Sequence, residues 1–378
     1  MENAKMYIGM CLCDLNKVDE PHLHLPYNFL DYLNSYKAYF EDGDKGMIEI
    51  QAESPYVFET DGNFLSNITK NKWLWIPYYE TLFDANLRDH FKEIYDQIRK
   101  SDIILGIHQP IRDINILSDD SYWHERSVRS IEESMRFAND MNAIYFIIHM
   151  VQYDNWNMPR QQQFETSIDV LKRLSTFYHK NSFSFVPCIE NLEFPKLPAT
   201  GFEISFCYDT IRKFWPKIKI CFDLPHLWNS QRIIKNHAHT PQPFHMISGF
   251  DNFSEICSRD YTAYLYSLKE FECIPGEIFL YHIGGCYDNM THGIPGLKPW
   301  ENPFDNAMNI DCPSRCYDLS REMDVSKTLD IIVSWSDSCI RMILEADQKP
   351  NAEAQRAISD IRKTLKAKTK RLERKLNA

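Results

Sequence analysis

The segments SFVPCIEN (Ser184–Asn191) and IKICFDLPH (Ile218–His226) each run from a short apolar stretch straight into a residue that can bind a metal or move a proton. In the first, the run Ser184–Ile189 stops at Glu190; in the second, Ile218–Phe222 stops at Asp223, with His226 shortly after. Such runs, rich in β-branched and aromatic residues and bounded by polar ones, are the pattern of strands buried on both faces of a parallel sheet. Working outward, the same pattern marks Met6–Cys11, Met47–Gln51, Ile103–His108, Ala143–His149, Glu277–His282 and Ile340–Leu344. Helical spacing fills several gaps between them. In Ser121–Asn142 the residues Val128, Ile131, Met135, Phe137, Ala138 and Met141 approximate a helical stripe, and Phe164–Tyr178 repeats the theme. Eight strand-then-helix units predict an α/β chain closed as a (β/α)8 TIM barrel, with an open doubly wound sheet as the competing arrangement.

The 378 residues fit one elaborated barrel. With 44% hydrophobic and 25% charged residues, disordered, collagen-like and coiled-coil chains are excluded. No apolar run is long enough for a transmembrane helix, so no membrane partner is expected. The N-terminal MENAKMYIGMCLCDLN lacks a small-residue cleavage signal, and the 11 cysteines are scattered without repeated CxxC pairs; a cytoplasmic protein with reduced thiols is the expectation. Long connections from Gln51 to about Asn86, rich in aromatics, and from Cys286 to about Asp324, rich in proline, read as functional loops after the second and seventh strands. The barrel is expected over 1–350, followed at 351–378 by a helical extension free of Gly and Pro. Residues 361–378 hold eight Lys or Arg against one Glu, a tail of +7 on a body of −18. A solvated helix face is the plain reading of that tail; docking to an acidic partner or nucleic acid is the alternative.

Phosphate-cradling and nucleophile-elbow signatures (GxGxxG, GxxxxGK[ST], GxSxG) and the HExxH helix are missing, in keeping with only 12 glycines. Instead, six successive strands end on polar ligand-type residues: His108, His149, Glu190, Asp223 (with His226), His282 and Glu345. Alone, each is more simply a hydrogen-bonded core histidine, a helix cap or a surface carboxylate. In a parallel barrel, however, all strand C-termini open on one face, so six such residues would converge on one cavity. Unpaired burial would cost several kcal/mol each, and mutual hydrogen bonding or a shared cation is needed to offset that cost. Imidazole with carboxylate suits a divalent transition metal (Mn, Zn, Co or Fe) better than Mg or Ca. Asp223 is expected to end its strand and Pro225 to turn the chain, bringing His226 back over the mouth. A further histidine, His292, sits in THGIPG on the loop after the seventh strand.

The order H…H…E-N…D-x-x-H…H…H-G-x-x-G…E resembles the xylose isomerase-like TIM-barrel superfamily, over about residues 6 to 346. That superfamily includes sugar-phosphate isomerases and epimerases, inosose dehydratases and the endonuclease IV family of apurinic-site nucleases (AP endonuclease family 2). Resemblance to the epimerase branch implies one divalent ion on Glu190, Asp223, His282 and Glu345, with His226 touching substrate. Resemblance to the endonuclease IV branch implies a cluster of up to three ions, adding His108, His149, His226 and His292. The chain departs from both branches: Ile283-Gly284-Gly285 follows the seventh-strand histidine, and Met290 stands where an Asp is expected, with Asp288 as a substitute. Multinuclear non-haem iron oxidative enzymes share a similar His/Asp/Glu mouth.

The leading expectation is a metal-dependent isomerase or epimerase of a small sugar-like molecule, with Glu190 and Glu345 as catalytic proton carriers on either side of the substrate. The alternatives are a multi-zinc phosphodiesterase acting on abasic DNA, an iron oxidative enzyme, and a metal-stabilised binding module. The acidic body weighs against DNA. Oligomeric state is not legible in the sequence.

Overall fold

The computed structural model describes residues 5–11, 46–51, 54–56, 74–76, 96, 99–100, 103–111, 114–151, 158–237, 253–287, 290–293, 323–336, 339–345 and 352–376. Eight parallel strands form its centre: β1 Lys5–Cys11, β2 Met47–Gln51, β3 Ile104–His108, β4 Tyr145–Ile148, β5 Val186–Glu190, β6 Lys219–Asp223, β7 Ile278–Ile283 and β8 Cys339–Leu344. They run around the sheet in the order β1-β8-β7-β6-β5-β4-β3-β2, and β1 pairs with both β8 and β2. The sheet is therefore a closed barrel and not an open one. Each strand lies within two residues of its expected limits.

Helices cover the outside: α1 Ser121–Asp140, α2 Arg160–Lys180, α3 Gly201–Ile211, α4 Leu224–His237, α5 Phe253–Ser258, α6 Tyr261–Ser267, α7 Cys273–Glu277, α8 Val325–Trp335 and α9 Ala352–Leu376. Side-chain caps start several of them. Asp120 accepts from the backbone N–H of Tyr122 and Trp123, Thr200 from Glu203, and Asp324 from Lys327, each satisfying donors that a helix start leaves without an intrahelical partner. One expectation is corrected here: Pro225 does not turn the chain. It lies in the first turn of α4, where its missing N–H costs nothing, so His226 is carried by a helix and not by a reversing loop.

Strand alternation divides the core in two. Outward residues such as Ile8, Ile48, Ile107, Phe146, Ile189 and Phe222 pack beneath the helices, while Met47, Tyr145, Ile147, Cys188, Cys221, Leu280 and Ile343 fill the barrel interior. Each fully buried aliphatic side chain contributes about 1.5–3 kcal/mol. Gly106 has a specific place in this interior. It pairs with Tyr145 across β3 and β4, and a Cβ at Gly106 would lie 1.8 Å from Cζ of the tyrosine ring. Only glycine leaves room for that ring inside the barrel.

Helix α9 is tied into the same core by Ala357, Ile358, Ile361 and Leu365, spaced as one helical face, while Lys368 pairs with Asp330 of α8 at 2.6 Å and Lys363 is exposed. Within the long connections, Ser54–Tyr56 pairs antiparallel with Leu74–Ile76, and Gly285–Tyr287 with Met290–Gly293; residues 57–73, 77–86 and 294–322 lie outside the described residues. No helix among the described residues is long and apolar enough to cross a membrane.

Candidate metal centre

Six strand ends converge at the C-terminal mouth. His108, Glu190 and Asp223 are the last residues of β3, β5 and β6, and His282 is the penultimate residue of β7. His149 and Glu345 follow β4 and β8 by one residue, and the Glu345 N–H continues the ladder by donating to the Ile283 carbonyl at 3.0 Å. Because alternate residues face inward, each caps an interior column: Ile147 below His149, Cys188 below Glu190, Cys221 below Asp223, Leu280 below His282 and Ile343 below Glu345.

Glu190 is the hub. Its Oε2 lies 2.7 Å from His149 Nε2 and 3.2 Å from His108 Nε2, and its Oε1 lies 2.9 Å from His282 Nδ1. The same Nδ1 is 2.9 Å from Glu345 Oε2 and 3.5 Å from Asp223 Oδ2. Two ligand groups result, one of Glu190, Asp223, His282 and Glu345 and one of His108, His149 and Glu190, each with its donor atoms within 4.8 Å of one another. They share Glu190. A third group combines Glu190, His282 and Cys221.

Asn191 braces this arrangement. Its Nδ2 donates to the Asp223 carbonyl and its Oδ1 accepts the Asp223 N–H, both at 2.7 Å, while its own carbonyl accepts from His226 Nδ1 at 3.0 Å. The connection that carries Asn191 is held by buried Arg160, which pairs with Glu203 and donates to the carbonyls of Pro195 and Lys196. His226 stands at the rim, 3.5 Å from Asp223 Oδ2 and 3.7 Å from Glu190 Oε1.

The hydrogen bonding fits a cation. His108 Nδ1 donates to the Gln109 carbonyl at 2.7 Å, so a neutral ring would turn its Nε2 lone pair onto the Glu190 carboxylate. His282 meets carboxylates at both nitrogens. A proton or a metal ion on these rings removes the repulsion. Without metal, protons serve: burial acts against a charged His108, yet the hydrogen bond and charge of Glu190, with Glu49 and Glu345, raise it to about 9. His282 is likewise raised, with burial opposed by Cys221, Glu49, Glu190 and Glu345. Glu190 is held well below the usual carboxylate range, its burial outweighed by His282, His149 and His108.

All six strand-end residues thus meet in one buried cluster, with His226 beside it. His292 lies on the strand Met290–Gly293, but its side chain is outside the described part, as is Asp288. Sequence reasoning missed Glu49. It is fully buried on β2, and its Oε2 accepts from Tyr145 Oη at 2.9 Å and from His282 Nε2 at 3.1 Å. The signal was present in Met47-Ile48-Glu49-Ile50-Gln51, where alternation turns Ile48 and Ile50 toward the helices and Glu49 into the barrel.

Fold and site together define a closed (β/α)8 barrel with a buried histidine–carboxylate centre at its catalytic-type mouth. A model of the xylose isomerase-like TIM barrel family matches residues 72–288, more than half of the chain, and the chain belongs to that family. No curated protein matches the sequence. Among solved structures, a D-tagatose 3-epimerase-like protein is similar with a TM-score of 0.55 and 11% identity, over 98% of this chain and 99% of that one. An L-ribulose 3-epimerase gives 0.54 and 12%, over 98% and 96%. The D-psicose 3-epimerase of Clostridium cellulolyticum H10, determined with D-tagatose, gives 0.50 and 9%, over 96% and 99%. At such identities the likeness establishes the shared barrel alone.

Proposed function

We propose that this protein is a cytoplasmic, divalent-metal-dependent isomerase or epimerase of a small sugar or sugar phosphate. The observation that carries the reading is the group Glu190, Asp223, His282 and Glu345, four buried or half-buried donors from four strands at the barrel mouth. Glu190, Asp223, His282 and Glu345 would hold a divalent ion there, and its charge would supply polarisation of a substrate carbonyl and the adjoining hydroxyl, acidifying the C–H between them. Glu345, 16% exposed, faces the mouth and would take that proton; Glu190, hydrogen-bonded to His108 and His149, would pass a proton from one of these protonated rings to the same carbon from the other side, and the ring and Glu345 would then exchange protons with water. His226 at the rim, with Nδ1 donating to the Asn191 carbonyl, would accept from a substrate hydroxyl through Nε2. Sugar 3-epimerases among the similar structures support this substrate class.

The group His108, His149 and Glu190 favours a second reading. Were ions held by both groups, they would supply water activation and stabilisation of a leaving oxygen, chemistry that would suit hydrolysis of a phosphodiester, including abasic DNA.

The test is incubation of metal-loaded protein in deuterium oxide with ketopentoses, ketohexoses and their phosphates, read by NMR and mass spectrometry. The proposal expects deuterium at the carbon beside the carbonyl and a new epimer or aldose, both lost in Glu345→Gln. Cleavage of an abasic duplex or a simple phosphodiester, with no solvent exchange into any sugar, would replace it by the hydrolase reading.

A further inference from the structure

A carboxylate lies beneath the proposed centre, in the middle of a barrel strand and away from the mouth. Glu49 has no exposed surface and sits between Ile48 and Ile50, which face the helices. Burying an ionised carboxylate in a barrel interior is costly unless its oxygens are matched by donors. Two donors meet one oxygen: Tyr145 Oη at 2.9 Å and His282 Nε2 at 3.1 Å, both on Oε2. The other oxygen, Oε1, has no hydrogen-bond partner among the described residues.

The direction of these bonds is set by chemistry. A carboxylate only accepts, so His282 must carry a hydrogen on Nε2. Its Nδ1 then faces Glu190 Oε1 at 2.9 Å, Glu345 Oε2 at 2.9 Å and Asp223 Oδ2 at 3.5 Å. Tyr145 is held in the barrel by the gap above Gly106, where any side chain would strike its ring. Gly106, Tyr145, Glu49 and His282 therefore form one connected support running from β3 through β4 and β2 to β7.

We propose that Glu49 is a positioning residue for the metal centre: through Nε2 it holds His282 in the tautomer and orientation that present Nδ1 to a divalent ion, and its charge makes that nitrogen a stronger donor. Glu49 touches neither the ion nor the substrate. This inference rests on the metal-binding part of the function proposed above, and it extends the centre to a residue outside both ligand groups.

Glutamine at position 49 can keep an oxygen for Tyr145 and His282 and place its NH2 where Oε1 lacks a partner, so Glu49→Gln removes the charge alone. Glu49→Leu removes charge and hydrogen bonds together. Zn2+ affinity is measured by chelator competition on full-length protein at fixed pH, with unfolding of the metal-free form followed in parallel. The expected result is a loss of affinity of about 10–100-fold in Glu49→Leu and a smaller loss in Glu49→Gln. Tyr145→Phe keeps the ring and removes one donor; it is expected to shift affinity in the same direction, and it carries the test if Glu49→Leu does not fold. Histidine nitrogen NMR of the Zn2+-loaded wild type should show His282 protonated at Nε2 and metal-bound at Nδ1.

A purely structural role would lower metal-free stability and leave Zn2+ affinity within twofold of wild type in every folded variant; that result, or the opposite His282 tautomer, overturns the proposal. If the wild type binds no divalent ion, this inference and the metal-dependent function fall together. Tight binding in the wild type with unchanged affinity in the variants removes the role of Glu49 only.

Discussion

His282 Nδ1 and Glu190 Oε1 stand 2.9 Å apart across the barrel mouth, on strands β7 and β5, and both side chains are fully buried. That contact joins the two ligand groups. Through Glu190 Oε2 it reaches His149 and His108, and through His282 Nδ1 it reaches Asp223 and Glu345. Substitutions on the two sides should therefore separate one ion from two.

His149→Ala removes a ligand from the histidine-rich group and leaves Glu190, Asp223, His282 and Glu345 in place. Where the wild type takes up two ions, elemental analysis should find one in this variant, with proton exchange into the sugar retained within about tenfold. Abolition of exchange would place the histidine-rich group in the reaction itself.

Protons and metal compete for the same nitrogens. His108 is raised to about 9 in the metal-free fold, so its contribution to stability is fully present below its ordinary value of 6.5 and is lost as pH rises through about 9. Metal binding must displace that proton, so divalent-ion affinity should tighten from pH 6 toward about 9. Glu190 is shifted the other way: its contribution is present above the ordinary carboxylate value and lost as pH falls through its lowered folded value. Calorimetric titrations at several pH values in two buffers check both the affinity and the protons released.

Chelation should destabilise the loaded protein. A ligand that binds only the native state stabilises it by about 4 kcal/mol at a thousandfold excess over Kd, and the melting temperature should fall accordingly on chelation and recover on adding metal back. No change in melting temperature between loaded and chelated protein would count against a centre built from six barrel strands.

Gly106→Ala places a Cβ 1.8 Å from Tyr145 Cζ. Overpacking of a closed barrel interior typically costs about 1–3 kcal/mol, measurable as a lower denaturant midpoint. Arg160→Leu should cost more, about 3–5 kcal/mol, because it leaves Glu203 buried without its partner and releases the carbonyls of Pro195 and Lys196. The same change loosens the connection that carries Asn191, so metal affinity should fall as well.

The strand ends were legible because each combines two plain signals, a short apolar run and an abrupt polar residue, and because barrel closure sends all such ends to one face. His108, His149, Glu190, Asp223, His282 and Glu345 were found in that way. Glu49 escaped because it breaks the rule of ends: it lies mid-strand, and only alternation within Met47–Gln51 reveals that it points inward. Tyr145 looked like one more aromatic in an apolar run, and its polar tip acquires meaning only once Gly106 is seen beside it. Pro225 was misread because proline marks a turn and a helix start equally well. The role of Asn191 depends on its contacts with Asp223 and His226, 32 and 35 residues further on, a distance that no local pattern spans.

The most direct test of the account is the metal content of purified wild type and Glu190→Gln, each reconstituted with Mn, Zn, Co and Fe and analysed element by element. The account predicts one or two equivalents of transition metal per wild-type chain, and a folded Glu190→Gln whose affinity is lowered at least about a hundredfold, because both groups lose their shared ligand. A wild type that takes up none of these ions, or a Glu190→Gln protein that retains the full complement, would contradict it.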